Sequence, residues 1–186
     1  MKAREVRGLD TTATLTDNAR RIVRVRLDEL YSFAPRALDP EQAKALHDMR
    51  IAAKRLRYVL ELTGFCFGPY AGKAAGIARE LQDLIGEIHD CDVLEPRIIE
   101  HLATLRAEDA QALSSAAIAQ DADVPHSVGA ERRQLYAALE ALAVDQRARR
   151  RVLFARFTER WEQLQNSHFR KRLLDSLGQP PLSVAA

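Results

Sequence analysis

The residues best suited to chemistry lie between Leu46 and Asp92. At roughly 100° per residue, His47, Arg50, Lys54, Arg57 and Tyr58 fall within a single arc of roughly 100°. The opposite arc carries Met49, Ala52, Ala53, Leu56, Val59 and Leu60, and Ile51 and Leu62 lie on the far flank. The cationic stripe is therefore bordered by apolar residues on both sides, which an ordinary solvated face does not need. A planar arginine fork donates two bonds to one oxyanion, and Lys54 acts as a point charge. Histidine adds donors, and a nearby anion favours its doubly donating form. A polyanion with many acceptor oxygens and no apolar surface needs several cations spaced along a groove. Walls of low dielectric strengthen each contact.

Two helical patterns must position this stripe. The first runs from about Asp39 to Thr63 and the second from about Tyr70 to His89. Gly64-Phe65-Cys66-Phe67-Gly68-Pro69 separates them, with glycine and proline as stop signals. On the second helix Ile77, Leu81, Leu84, Ile85 and Ile88 form an apolar face. Arg79, Gln82, Gly86 and His89 form the stripe beside it. A short turn makes the two helices antiparallel neighbours. With the turn centred near Gly68, His47 comes level with His89, Arg50 with Gly86, Lys54 with Gln82 and Arg57 with Arg79. Gly86 then leaves space beside the Arg50 guanidinium. The expected outcome is one cationic groove with a histidine pair at its far end.

Elsewhere the pattern is helical and no stretch reads as a strand. Residues 1–13 have no period and read as a flexible N-terminus. Residues 14–178 read as a single all-α domain, an antiparallel bundle with long helical hairpins, and residues 179–186 as a tail. A first helix starts with Thr16 or Asp17 as its N-cap and ends at Pro35. It carries Arg20, Arg24 and Tyr31 beside its apolar stripe. Asp39-Pro40 reads as the N-cap and first position of the next helix. Asp90 and Asp92 read as caps of a fourth helix containing Pro96. A polar linker covers Gln120 to Gly129. A long pattern from Ala130 breaks near Val144-Asp145. Ser167 reads as the cap of a last short helix, His168 to Leu177, stopped by Gly178 and Pro180.

The chain has 186 residues, 47% hydrophobic and 29% charged, which suits one soluble domain with a sizeable core. Net charge is only +2, so a polyanion site must come from local clustering. No apolar run approaches the ~20 residues of a membrane span, and the N-terminus lacks an apolar signal core. Cytoplasmic location is the expectation, with Cys66 and Cys91 as free buried thiols at opposite ends of the hairpin. Zinc spacings and a phosphate-binding glycine loop are missing, and no cofactor or metal is expected.

The stretch resembles the CHAD domain, the conserved histidine alpha-helical domain. The resemblance rests on His47-Asp48-Met49-Arg50, Lys54-Arg55-Leu56-Arg57-Tyr58, Leu81-Gln82, Ile85-Gly86 and His89-Asp90. It implies an all-helical fold that binds inorganic polyphosphate in a basic cavity. Such modules are often joined to a triphosphate-cleaving tunnel domain rich in acidic strand residues, and no such segment is present, so the expectation is binding without turnover, with residence on polyphosphate granules. The site expected here comprises His47, Arg50, Lys54, Arg57, Arg79 and His89, with Arg55 and Tyr58 as second-rank members and Arg20 and Arg24 as candidates by arc. Arg149, Arg156 and Arg160 share an arc and are further candidates. Arg147 to Arg151 otherwise reads as a solvated basic run with acidic partners. The family usually has two helical halves and this chain has one copy of the motif, so a homodimer is expected to restore the second half.

Two other readings stay open. His47-Asp48 and His89-Asp90 are HD dipeptides, as in all-helical metal phosphohydrolases, with Asp109, Asp121, Asp123 or Asp145 as the late aspartate. That reading leaves the basic stripe without a role. Histidine phosphotransfer through His47 or His89 is a weaker variant that nothing selects. A nucleic acid is the rival among binding readings. Stacking needs exposed aromatics, and only Tyr31 and Tyr58 lie near the basic arcs.

Overall fold

The structure, a computed structural model, describes residues 2–119 and 129–179. Among them there is no strand. The helices are α1 (Leu15–Ala37), α2 (Ala43–Thr63), α3 (Tyr70–Ala119), α4 (Ala130–Asn166) and α5 (Phe169–Ser176), with a 3-10 turn at Gly64–Cys66. The all-α bundle read from periodicity is the fold. Most of the polar linker from Gln120 to Gly129, and the tail from Pro180 onward, lie outside the described residues.

The chain divides into two compact units. The first comprises Met1–His89 and Leu153–Ala186, the second Asp90–Val152. In the first unit, Val23, Leu27 and Leu30 of α1 are buried, as are Leu46, Met49, Leu56 and Leu60 of α2. Leu81, Ile85 and Ile88 of α3 and Phe157 and Leu164 of α4 complete this core. Each set repeats at three, four or seven residues, so one stripe per helix leaves water. The loop before α3 is tied to α5, because the Ser176 hydroxyl donates to the Gly68 carbonyl at 3.0 Å and Gly68 N–H donates to the Ser176 carbonyl at 3.2 Å. The second unit is a helical hairpin of outer α3 against α4. Cys91, Ile98, Leu102, Leu105 and Ala143 are buried there. Both cysteines are free and buried.

Several helix boundaries differ from the sequence reading. Thr14, not Thr16 or Asp17, caps α1, its hydroxyl oxygen accepting from Asp17 N–H at 3.1 Å. Pro35 does not end that helix. It sits in the last turn, where its missing N–H costs a single bond, and buried Ala34 and Ala37 hold the turn on the core. Asp39-Pro40 forms a turn before α2, because the Asp39 carboxylate accepts from Glu41 N–H at 3.0 Å and the helix starts only at Ala43. α3 passes Asp90, Asp92 and Pro96 without a break. Asp92 is engaged by Arg150 rather than by a helix start, and the buried stripe on either side of Pro96 keeps the helix in register.

α4 likewise continues through Val144-Asp145. Both residues point outward while Ala143 and Gln146 beside them are buried. Ser167 does not cap α5, since its hydroxyl donates to the Leu164 carbonyl at 3.1 Å. His168, at φ 54°, turns the chain through the left-handed region and its carbonyl accepts from Arg172 N–H.

Candidate anion-binding site

The α2–α3 hairpin brings the predicted stripe together. The rings of His47 and His89 lie 4.6 Å apart between centroids, tilted by 47°. Beside them a Cβ added to Gly86 would come 3.2 Å from Arg50 Nε. Gly86 is therefore the notch in which the guanidinium rests, as its level match with Arg50 implied. Toward the loop the partner of Gln82 is Arg57, which donates to its Oε1 at 3.2 Å, and not Lys54 as the level match implied.

The two ends of the stripe differ electrostatically. At the loop end Glu61 is shared. Arg79 donates to it at 2.6 Å and Arg57 Nε lies 3.3 Å away. The Arg79 guanidinium holds the Glu61 carboxyl below the usual carboxylate range, and Arg79 in turn is raised. Arg57 also lies over the Tyr58 ring at 4.6 Å, and Lys54 Nζ sits 5.7 Å from the same ring. Lys54 and Tyr58 are exposed. At the histidine end His47 Nδ1, Asp48 Oδ1 and Arg50 Nε are buried with no hydrogen-bond partner among the described residues. An unsatisfied buried polar atom costs about 1–3 kcal/mol, and Arg57 Nε, although 3.3 Å from Glu61, also lacks a hydrogen bond among the described residues. Burial, then the neighbouring His89 and Arg50, push the His47 imidazole below its ordinary pKa, with Asp48 opposing.

The other predicted residues are placed elsewhere. Arg55 belongs to a separate cluster, donating at 2.8 Å to Glu29, which is 1% exposed. Arg26 holds the other Glu29 oxygen at 2.7 Å, and Arg4 N–H donates to the first. Burying a carboxylate requires such pairing, so Arg55 is committed to joining α1 and α2. Arg20 donates from Nε to the Leu177 carbonyl at 2.8 Å and pairs with Asp17. It lines a cleft with Arg21 and exposed Arg24 that contains none of the hairpin residues. Arg156 and Arg160 line a different cleft with Glu80 and Leu84, where Arg160 holds Glu80 at 2.5 Å. Glu80 and Leu84 lie on the side of α3 away from the Gln82–Gly86–His89 stripe, and Arg149 is in the second unit.

The acidic partners expected for the basic run are present, since Arg147 pairs with Glu95 and Arg150 with Asp92. Sequence reasoning missed the inequality between the two ends of the stripe. The signal for it was Glu61, four residues after Arg57 on the same face.

The late aspartates of the metal-hydrolase reading fare differently. Asp109 is clamped by Arg132 at 2.9 and 3.0 Å and by the Tyr136 hydroxyl. Asp121 and Asp123 lie outside the described residues. Among the described residues no group of three or more His, Cys, Asp or Glu side chains is placed to hold a metal ion, and no helix is long and apolar enough to cross a membrane.

The family model of the CHAD domain matches residues 3–99, which covers α1, α2 and the first part of α3. No curated protein and no solved structure matches the chain. The matched span holds the histidine pair, the basic stripe and Gly86 together, and on that match the chain belongs to the CHAD domain family.

Proposed function

We propose that the chain binds inorganic polyphosphate along the α2–α3 stripe and does not turn it over. The observation that carries this reading is the histidine end of the stripe. There a desolvated guanidinium edge and an imidazole nitrogen lack partners beside a second imidazole. A phosphate oxygen supplies the acceptor that Arg50 Nε lacks, and a chain of phosphates extends the contact to Lys54 and Arg57. Arg79 contributes less, because Glu61 already occupies it. Tyr58 serves as an aromatic shelf for the two cations rather than as a ligand. Residence on polyphosphate granules in the cytoplasm, and a homodimer that supplies a second helical half, are extensions of the same reading.

The test is calorimetry of metal-free protein with long-chain polyphosphate at stated salt, beside a hydrolysis assay with added manganese. Saturable binding without phosphate release is expected. Release of orthophosphate would move the reading to the metal hydrolase. Stronger competition by single-stranded RNA than by polyphosphate would move it to nucleic acid, since both interactions weaken as salt rises.

A further inference from the structure

We propose that Glu61 is a built-in competitor for the loop end of the stripe. It holds Arg57 and Arg79 in the place of a phosphate, and only a polyphosphate chain long enough to displace it gains those two cations. The proposal rests on the polyphosphate reading of the stripe and deepens it into a selection of chain length. Glu61 lies four residues after Arg57 on α2, so one helical turn brings it back to the same face. Its Oε1 accepts from Arg79 at 2.6 Å and lies 3.3 Å from Arg57 Nε. One carboxylate oxygen thus sits between a guanidinium from each helix, which is where an oxyanion sits in an arginine-lined groove. The fit is incomplete on the α2 side. Arg57 Nε is buried and makes no hydrogen bond among the described residues, although Glu61 is close. Its neighbour NH1 is taken by Gln82 at 3.2 Å, so the Nε edge is the one left for a better acceptor.

Exposure makes this carboxylate displaceable. The Arg79 side chain is 59% exposed and that of Glu61 32%. An ion pair in such a setting adds little to stability, and a polyanion that replaces Glu61 pairs both cations again. The buried carboxylate of Glu29, held between Arg26 and Arg55, has no such freedom. Distance decides which chains reach Glu61. Along α2 the rise from His47 to Arg57 is about 15 Å, and Glu61 stands about 6 Å further on. Tripolyphosphate seated at the histidine end stops short of Arg57. A long chain laid from the same end past Lys54 arrives at the carboxylate and exchanges it for phosphate. Asp83, four residues after Arg79 on α3, adds negative charge near Arg79 from the same helix.

The experiment uses the full chain and calorimetry with tripolyphosphate and with long-chain polyphosphate across a salt series. Glu61→Gln is expected to raise long-chain affinity about fivefold, as two exposed ion pairs of ordinary strength would. It is also expected to steepen the fall of log affinity with log salt by about 1–2, one for each cation freed. Tripolyphosphate is expected to gain less. Arg79→Gln is expected to cost more long-chain affinity in the Glu61→Gln background than in the wild type, because Glu61 no longer masks it. Asp83→Asn controls for charge alone and is expected to give a smaller gain. Unchanged or lower long-chain affinity in Glu61→Gln, an equal gain for both chain lengths, or an equal gain in Asp83→Asn overturns the proposal and leaves the polyphosphate reading standing. A Glu61→Gln chain that does not fold overturns it as well, since a carboxylate required for the fold is not one that a ligand displaces. Failure of the wild type to bind either polyanion overturns both readings.

Discussion

Gly86→Ala separates the binding role of the stripe from its structural role, because the two effects have opposite signs. In the interior of α3 the exchange favours the helix by about 0.5–1 kcal/mol, since glycine loses more backbone freedom on folding than alanine. The new methyl carbon meets Arg50 Nε at 3.2 Å, with the guanidinium NH2 and Cζ at 3.8 and 3.9 Å. That contact is too tight by a few tenths of an ångström. It is made with the far end of a flexible side chain, so the guanidinium yields and the backbone does not. Stability is expected to hold or rise, which for a chain of this size means a melting temperature unchanged or up by about 2–4 °C. Polyphosphate affinity is expected to fall. A charge-assisted hydrogen bond is worth about 1.5–3 kcal/mol, and losing roughly half of one weakens binding about three- to twelvefold. Calorimetry and thermal melts on the same preparation read both effects. Unchanged affinity in Gly86→Ala, where Arg50→Ala loses tenfold or more, would refute the idea that the notch positions the guanidinium.

Three further outcomes follow from the same geometry. Arg50→Ala with Lys54→Ala is expected to lower polyphosphate affinity more than tenfold with little change in melting temperature, because Arg50 Nε has no hydrogen-bond partner among the described residues and Lys54 only lies near the Tyr58 ring; a parallel fall of both in the same titration and melt would make the stripe structural. The folded-state pKa of His47 is depressed, so its contribution to stability is complete above about pH 6.5 and is lost as the pH falls through the lower folded value. A bound polyanion opposes that depression, so affinity is expected to rise over the same descent with proton uptake, seen as a buffer-dependent heat in calorimetry and absent in His47→Gln. Glu29→Ala removes the buried carboxylate that Arg26 and Arg55 share and is expected to cost about 3–5 kcal/mol in a urea melt, with polyphosphate affinity of the folded protein unchanged.

Much of the hairpin is legible in the sequence. His47 and His89, and Arg50 and Gly86, were paired by level alone, because antiparallel helices joined by a short turn have little freedom of register. The histidine contact and the Arg50 notch follow from that constraint. Boundaries were less legible. Proline and aspartate are local stop signals, but Pro35 and Pro96 lie within helices whose buried stripes continue on both sides. The loss of one backbone bond is outweighed by continued packing of the stripe.

Periodicity determined by itself that the chain is helical, which face of α2 is basic, and that α3 returns beside it, because side-chain direction along a helix depends only on residue number. Only the tertiary structure decided which cations remain available. Arg55 is taken by Glu29, 26 residues earlier, and Arg20 by the Leu177 carbonyl, 157 residues later. Arg79 is taken by Glu61 across the turn. Electrostatic pairing depends on separation in space and on the local dielectric, and neither can be counted along a sequence.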